Sequence, residues 1–139
     1  MPPALVLDAS VPLAWSLPDE GGQDPARGIL AALGQHAALV PAHWRAEVGN
    51  GLLMAARRGR LDGERLPRIL AELSTLAVEI DTAGAEDAWS APLGLALATG
   101  LTLYDALYLE LAVRRALPLA SFDAALRRAA QRSGVPILP

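Results

Sequence analysis

Short, continuous apolar runs alternate along this chain with longer stretches of helical periodicity, and this alternation most constrains the fold. Continuous apolar runs are typical of strands that are covered on both faces. Helical stretches between successive strands predict a parallel sheet with right-handed crossovers and helices on both faces. We therefore predict an α/β fold with a central parallel sheet of about five short strands, at residues 4–7, 37–40, 76–80, 117–120 and 136–138.

Helix start and stop signals divide the remaining sequence. Asp24 followed by Pro25 predicts a helix from residue 24 to about 35, and Gly59 ends a helix over residues 43–58. Trp15, Trp44 and Trp89 fall on apolar helical faces, so we predict that they belong to the core. Further helices are predicted at about 62–75, at 84–99 with an interruption at 92–94, from residue 102 onward, and at 123–133.

The composition excludes several classes of protein. The 139 residues, without repeat or linker, indicate a single domain over residues 1–139. The absence of cysteine excludes disulfides and thiolate metal sites, and two histidines are too few for an ordinary zinc site unless carboxylates supply the remaining ligands. No apolar run reaches the ~18 residues of a membrane span, and no basic segment opens the chain. We therefore expect a cytoplasmic protein that does not associate with a membrane.

The positive charge of the chain is carried entirely by arginine. The net charge is −3, and lysine is absent. Arg57 and Arg58 belong to a cluster that extends to Arg68. Two interpretations stay open: the cluster is the solvated end of two helices, or it is a rim that binds phosphate groups.

Four carboxylates lie where predicted elements end or turn inward. Asp8 and Asp123 follow two of the strands, and sites in open parallel sheets form beyond the carboxyl ends of strands. Either residue could instead cap the helix that follows it. Glu47 lies at the boundary of an apolar helical stripe, a position that suits both a cleft and ordinary snorkelling.

Asp105 is the most informative of the four. Thr102 lies three residues earlier, so a capping-box role near a helix N-terminus is available. The polar stripe of this helix is Glu110 with Arg114, and Asp105 projects roughly 180° away from it. If the four acids converge, their mutual repulsion favours a bound cation, and an all-oxygen ligand set favours Mg²⁺ or Mn²⁺.

Four segments together resemble the PIN-domain family of metal-dependent ribonucleases, and most closely the VapC-type toxins of toxin–antitoxin pairs. The resemblance implies a small α/β fold in which Asp8, Glu47, Asp105 and Asp123 line a metal site. It places Ser121 and Asn50 at supporting polar positions, and Ser10 could orient the Asp8 carboxylate. The segments are residues 7–10 (LDAS), 41–50 (PAHWRAEVGN), 101–109 (LTLYDALYL) and 119–123 (LASFD).

The resemblance also implies an activity and its partners. We expect an endoribonuclease that uses one or two Mg²⁺ or Mn²⁺ ions to hydrolyse RNA, and a cognate VapB-type antitoxin that blocks the site. The apolar surplus of the chain further suggests a homodimer. A PIN-like module that binds RNA or protein without catalysis is the alternative. A receiver-type phosphoacceptor domain is disfavoured, because it requires a lysine and this chain has none.

Overall fold

A five-stranded parallel sheet forms the centre of the computed structural model, which describes residues 2–17 and 23–139. The spatial order of the strands is β3-β2-β1-β4-β5, and every neighbouring pair is parallel. The predicted fold class is thus confirmed. The strands are β1 (Pro3–Leu7), β2 (Ala37–Pro41), β3 (Val78–Asp81), β4 (Leu119–Ala120) and β5 (Ile137–Leu138).

Helices connect the strands, as parallel pairing requires. The boundaries differ from the predicted ones by a few residues; for example, the second helix begins at Gln23, so Asp24 lies in its first turn instead of at its cap. The helices are α1 (Ser10–Ser16), α2 (Gln23–Leu33), α3 (Trp44–Arg57), α4 (Leu66–Leu73, preceded by a 3₁₀ turn at Gly63–Arg65), α5 (Ala83–Glu86), α6 (Ala91–Thr99), α7 (Leu103–Arg115) and α8 (Ala124–Arg132).

The strand order places a cleft beside β1. The chain continues from β1 to β2 on one side and later returns to β4 on the other side, so the order reverses between β1 and β4. Val6 pairs with Leu39 of β2 and with Leu119 of β4. Ligand sites in open α/β sheets lie outside the carboxyl ends of the strands at such a point. In this chain, the residue that leaves β1 there is Asp8.

The core lies between the central strands and helix α7. Leu7, Leu39 and Leu119 are completely buried, as are Leu109 and Leu111 on α7. Burial on this scale supplies most of the free energy of folding, at roughly 25 cal/mol per Å² of apolar surface. Because α7 contributes to this core, the first turn of the helix has a well-defined position relative to the end of β1.

The edge strand β3 departs from the expectation that every strand is covered on both faces. It begins two residues later than predicted, and it contains the exposed residues Glu79 and Ile80. The reason is its place in the sheet: β3 pairs with β2 and ends the strand order, so it has less cover than the central strands.

The predicted core position of Trp89 is wrong. The helix predicted over residues 84–99 is divided into α5 and α6 by a turn at residues 87–90, upstream of the predicted break. Pro92 lies in the first turn of α6, where its ring is tolerated. Trp89 therefore lies outside both helices and is 89% exposed, whereas Trp44 is buried and Trp15 packs partly buried against the core.

Among the described residues, no single helix is long and apolar enough to cross a membrane. Helices α6 and α7 meet the criterion jointly by length and composition, but they are bent by 111° at the break between them.

Glu110 and Arg114 form the ion pair that their i,i+4 spacing predicts, and Arg114 also reaches a third acid, Asp81. The Arg114 Nε donates to Glu110 at 2.7 Å, and its two Nη atoms donate to the Asp81 carboxylate at 3.0 and 2.8 Å. Asp81 also accepts the backbone N–H of Gly84 at 2.9 Å. Burial alone would raise the pKa of Asp81, but the hydrogen bonds from Arg114 and Gly84 bring it below its usual value. Arg114 thereby joins α7 to the end of β3.

Replacing Arg114 with Ala should destabilise the protein. Asp81 is only 9% exposed, and the change would leave its charge without the Arg114 guanidinium. We expect the free energy of unfolding to fall by roughly 2 kcal/mol, which is less than for a fully buried pair because Arg114 is partly exposed. The lowered pKa of Asp81 stabilises the fold above pH ~4 and ceases to do so as the pH falls through the folded value, so the difference should shrink in acid. Urea unfolding at pH 7 and pH 3 measures this, with exposed Arg128→Ala as the control. Equal stability of both variants at pH 7 would contradict it.

Candidate metal centre

Asp8 is held at the carboxyl end of β1 by the pairing of β1 with β4. Its backbone N–H donates to the carbonyl of Ala120 at 3.0 Å, so the ladder continues one residue beyond the strand. Its side chain is only 4% exposed. Burial raises the pKa of Asp8, against the hydrogen bonds from Ser10 and Ser121 that lower it. A buried carboxylate at the carboxyl end of β1 therefore follows directly from the register of the two strands.

Two hydroxyl groups hold one oxygen of Asp8. Ser10 Oγ donates to Asp8 Oδ2 at 2.5 Å, and Ser121 Oγ donates to the same atom at 2.8 Å. The hydroxyls are themselves held, because Ser10 accepts the N–H of Phe122 and Ser121 accepts the N–H of Asp123, both at 3.0 Å. Both predicted supporting serines thus contact the Asp8 carboxylate directly. The Ser10 backbone also donates to this carboxylate, so local donors fix its orientation.

Glu47 reaches the same edge of the sheet from the first turn of α3. Strand β2 lies beside β1 and leads into α3, so the start of this helix is close to the end of β1. The phenol of Tyr108 donates to Glu47 Oε1 at 2.6 Å. Burial raises the pKa of Glu47, the bond from Tyr108 opposes this, and the charges of Asp8 and Asp105 raise it further.

Asp105 lies in the first turn of α7. Thr102 caps this helix by accepting the backbone N–H of Asp105 at 3.2 Å, as the sequence pattern predicted. The Asp105 side chain is half-buried, and burial together with the charges of Asp123 and Asp8 raises its pKa to about 6. A carboxylate influenced only by the positive end of the helix dipole would instead have a lowered pKa.

Asp8, Glu47 and Asp105 converge. Each offers one carboxylate oxygen, and these oxygens lie within 4.8 Å of one another. Burial is the main cause of the raised pKa of all three groups, and neighbouring acids add to it: Asp123 acts on Asp8 and Asp105, and all three other acids act on Glu47. Hard divalent cations prefer an all-oxygen ligand set of this kind, so the three side chains fit a Mg²⁺ or Mn²⁺ ion.

Asp123 lies at the margin of this group and does not form part of its centre. The residue is exposed, and its Oδ1 accepts the N–H of Leu126 at 2.8 Å, so it caps helix α8. Its charge nevertheless contributes to the raised pKa values of Asp105 and Asp8. The predicted cap is therefore confirmed, whereas the role of Asp123 as a metal ligand stays a prediction.

Three other predicted residues do not belong to the group of converging oxygens. Asn50 is exposed on α3, and within residues 2–17 and 23–139 it makes no hydrogen bond to the three acids. Arg57 and Arg58 are exposed at the far end of α3. Ten residues of helix place Arg57 roughly 15 Å along the axis from Glu47. These arginines therefore do not line the centre itself.

Tyr108 and His43 are site residues that the sequence analysis did not identify. Tyr108 packs in the core, and its hydroxyl also binds Glu47. His43 Nε2 lies 3.6 Å from Glu47 Oε1, and burial lowers the pKa of His43, so the imidazole is neutral near pH 7 and forms no ion pair there. Spacing carried a signal for Tyr108, because it follows Asp105 by three residues on one helix and shares its face.

Comparisons with known proteins show the family of this chain. The family model described as "PIN domain" matches residues 5–132. A relative named Ribonuclease VapC3, from Pyrobaculum aerophilum, is 32% identical over 108 residues, covering 78% of this chain and 80% of the relative. The crystal structure of PAE2754 from Pyrobaculum aerophilum superposes with a TM-score of 0.69 at 26% identity, covering 97% of this chain and 83% of that chain. The chain belongs to the PIN-domain family.

Proposed function

We propose that this protein is a metal-dependent endoribonuclease and the toxin of a VapBC-type toxin–antitoxin pair. Three carboxylate oxygens within 4.8 Å of one another, on residues 8, 47 and 105, are the observation that supports this most directly. The relative named Ribonuclease VapC3 supports the substrate class. RNA is accordingly the proposed substrate, one or two Mg²⁺ or Mn²⁺ ions are the proposed cofactor, and the cytoplasm is the proposed compartment.

Each acid has a distinct part in the proposed reaction. When bound, a divalent ion would stabilise negative charge on the phosphodiester and lower the pKa of the attacking water. Asp8 and Glu47 each have one oxygen engaged by protein hydroxyls, so their other oxygen can hold the ion. With a pKa of about 6, Asp105 is suited to accept a proton near neutral pH, which makes it a candidate general base in addition to a ligand. Asp123 adds negative charge from the margin.

We further propose that two copies of the chain associate through the face of α6. Residues 88–104 contain no Asp, Glu, Arg, Lys or His. Trp89, in the turn before α6, is 89% exposed, and on α6 itself Leu97 is 81% exposed and Leu93, one turn earlier, is exposed as well. An uncharged apolar face is complementary to itself, as the two-fold interface of a homodimer requires. A VapB-type antitoxin is the second proposed partner, and the Arg57 and Arg58 side chains remain candidate contacts to RNA phosphates away from the scissile bond.

Replacement of the acids should abolish cleavage. We expect Mg²⁺- or Mn²⁺-dependent cleavage of RNA that EDTA removes, and a loss of roughly two orders of magnitude or more in Asp8→Asn and Asp105→Asn, because each change removes a charged ligand. A fluorogenic RNA assay measures this, with Asp87→Asn as a control at an exposed position. Metal binding without any RNA cleavage would favour a binding module instead, and activity in EDTA would contradict the proposal.

The metal-free protein should become more stable as the pH is lowered from 7 to about 5. The unfolded pKa of an aspartate is about 4, whereas that of folded Asp105 is about 6. The folded state therefore binds this proton more tightly, so the contribution is full below pH ~4 and is lost as the pH rises through about 6. Asp105→Asn should be less dependent on pH and should melt at a higher temperature than wild type at pH 7.

Thermal melts with and without Mn²⁺ complete that test. Mn²⁺ should stabilise the wild type at pH 7 by binding the folded state, and it should stabilise Asp105→Asn less. A destabilised Asp105→Asn variant with a full Mn²⁺ response would show that Asp105 acts as a favourable charge at the start of α7 and not as a ligand.

Charge placed on α6 should dissociate the proposed dimer. Leu97→Glu would bury two like charges across a two-fold interface, so we expect at least a tenfold weaker association. Light scattering over a dilution series measures the mass. Val113→Glu, which places the same charge on an exposed apolar position of α7, is the matched control. A wild type that stays monomeric at high concentration would refute the homodimer.

A further inference from the structure

Tyr108 is a fully buried tyrosine with a polar group to satisfy. Its ring extends from α7 into the core, and its hydroxyl donates to Glu47 Oε1 at 2.6 Å. A buried phenol without a partner is costly, and a short bond to a carboxylate is among the stronger neutral-to-charged hydrogen bonds. Tyr104, one turn earlier on the same helix, is 64% exposed, so water can solvate its hydroxyl and no protein partner is required.

The hydrogen bond connects two elements that each supply an acid. Asp105 and Tyr108 are three residues apart on α7 and lie on one face, whereas Glu47 extends from α3. Helix α7 therefore contributes one acid directly and holds the acid of the neighbouring helix through Tyr108.

The environment ensures that the phenol acts as the donor. Burial raises the pKa of Tyr108, and the charges of Asp8 and Glu47 raise it further, so the hydroxyl keeps its proton. His43 cannot replace it, because its Nε2 is 3.6 Å from Glu47 Oε1 and has no hydrogen-bond partner within the described part of the chain. The His43 ring instead packs edge-on against Tyr108, with centroids 5.2 Å apart.

We propose that Tyr108 is the positioning residue of the metal centre: its hydroxyl occupies Oε1 of Glu47 and directs the remaining oxygen toward Asp8 and Asp105. This inference rests on the proposed metal-dependent function. Glu47 is about one-third exposed, so without the bond its side chain would be free to adopt other rotamers. Ser10 and Ser121 orient Asp8 in the same way, because their hydroxyls donate to its Oδ2.

Tyr108→Phe tests the inference, since it removes the hydroxyl and retains the ring. We expect Mn²⁺ binding, measured by isothermal titration calorimetry, to weaken about 10- to 100-fold, as is common when a group that orients a metal ligand is removed. Tyr104→Phe removes a hydroxyl from the exposed neighbour and should bind Mn²⁺ like the wild type. Unchanged affinity in a folded Tyr108→Phe protein would overturn the proposal.

A double-mutant cycle separates positioning from general packing. If Tyr108 acts through Glu47, Tyr108→Phe should have no further effect on Mn²⁺ affinity in a Glu47→Ala background. An equal loss in both backgrounds would show that the hydroxyl matters to the fold and not to this carboxylate, and would refute the positioning role.

These measurements need no RNA, so they are independent of the proposed ribonuclease activity. Tyr108-dependent Mn²⁺ binding in a protein that cleaves no RNA would sustain the positioning role and overturn the ribonuclease. Metal-dependent cleavage with normal Mn²⁺ affinity in Tyr108→Phe would do the reverse. If the wild type binds no Mn²⁺ at all, both proposals fail.

Discussion

Repulsion among three carboxylates at the end of a buried strand is the interaction on which the rest of the site depends. Asp8, Glu47 and Asp105 bring their oxygens within 4.8 Å of one another, and the raised pKa of each reflects burial and the neighbouring charges. Side chains left to themselves would separate and return to water. The surrounding structure must therefore hold each acid in place, and the protein does so with hydroxyl donors and strand register.

The sheet provides the register. Because β1 lies between β2 and β4, the residues that follow these three strands meet at one edge of the sheet. Asp8 follows β1 directly, and Glu47 lies in the first turn of α3, the helix after β2. Buried hydroxyls then hold individual oxygens: Ser10 and Ser121 on Asp8, and Tyr108 on Glu47. Each of these carboxylates keeps a second oxygen for a cation, which suits Lewis-acid chemistry on a phosphodiester.

Local sequence rules predicted features that depend on neighbouring residues, such as helix caps. They failed for features that depend on contacts between elements distant in the sequence. Thr102 and Asp123 cap helices as their positions predict. Arg114 pairs with Glu110 as predicted, but the sequence did not reveal its two further bonds to Asp81, which link α7 to the end of β3. Trp89 was predicted to be buried, but the turn before α6 exposes it. Helical periodicity alone cannot detect either event, because each depends on where another element lies.

The sequence by itself determined the fold class, because short apolar runs alternating with helical stretches specify a parallel sheet, and it marked the four acids as candidates by their positions near element ends. Only the tertiary structure decided which acids share a centre. Asp123 lies at the margin as a cap, Asn50 faces solvent, and Arg57 lies far along α3. It also revealed Tyr108, whose hydroxyl meets a carboxylate 61 residues earlier in the chain. Contacts over such separations depend on strand order and helix packing, which no local pattern encodes.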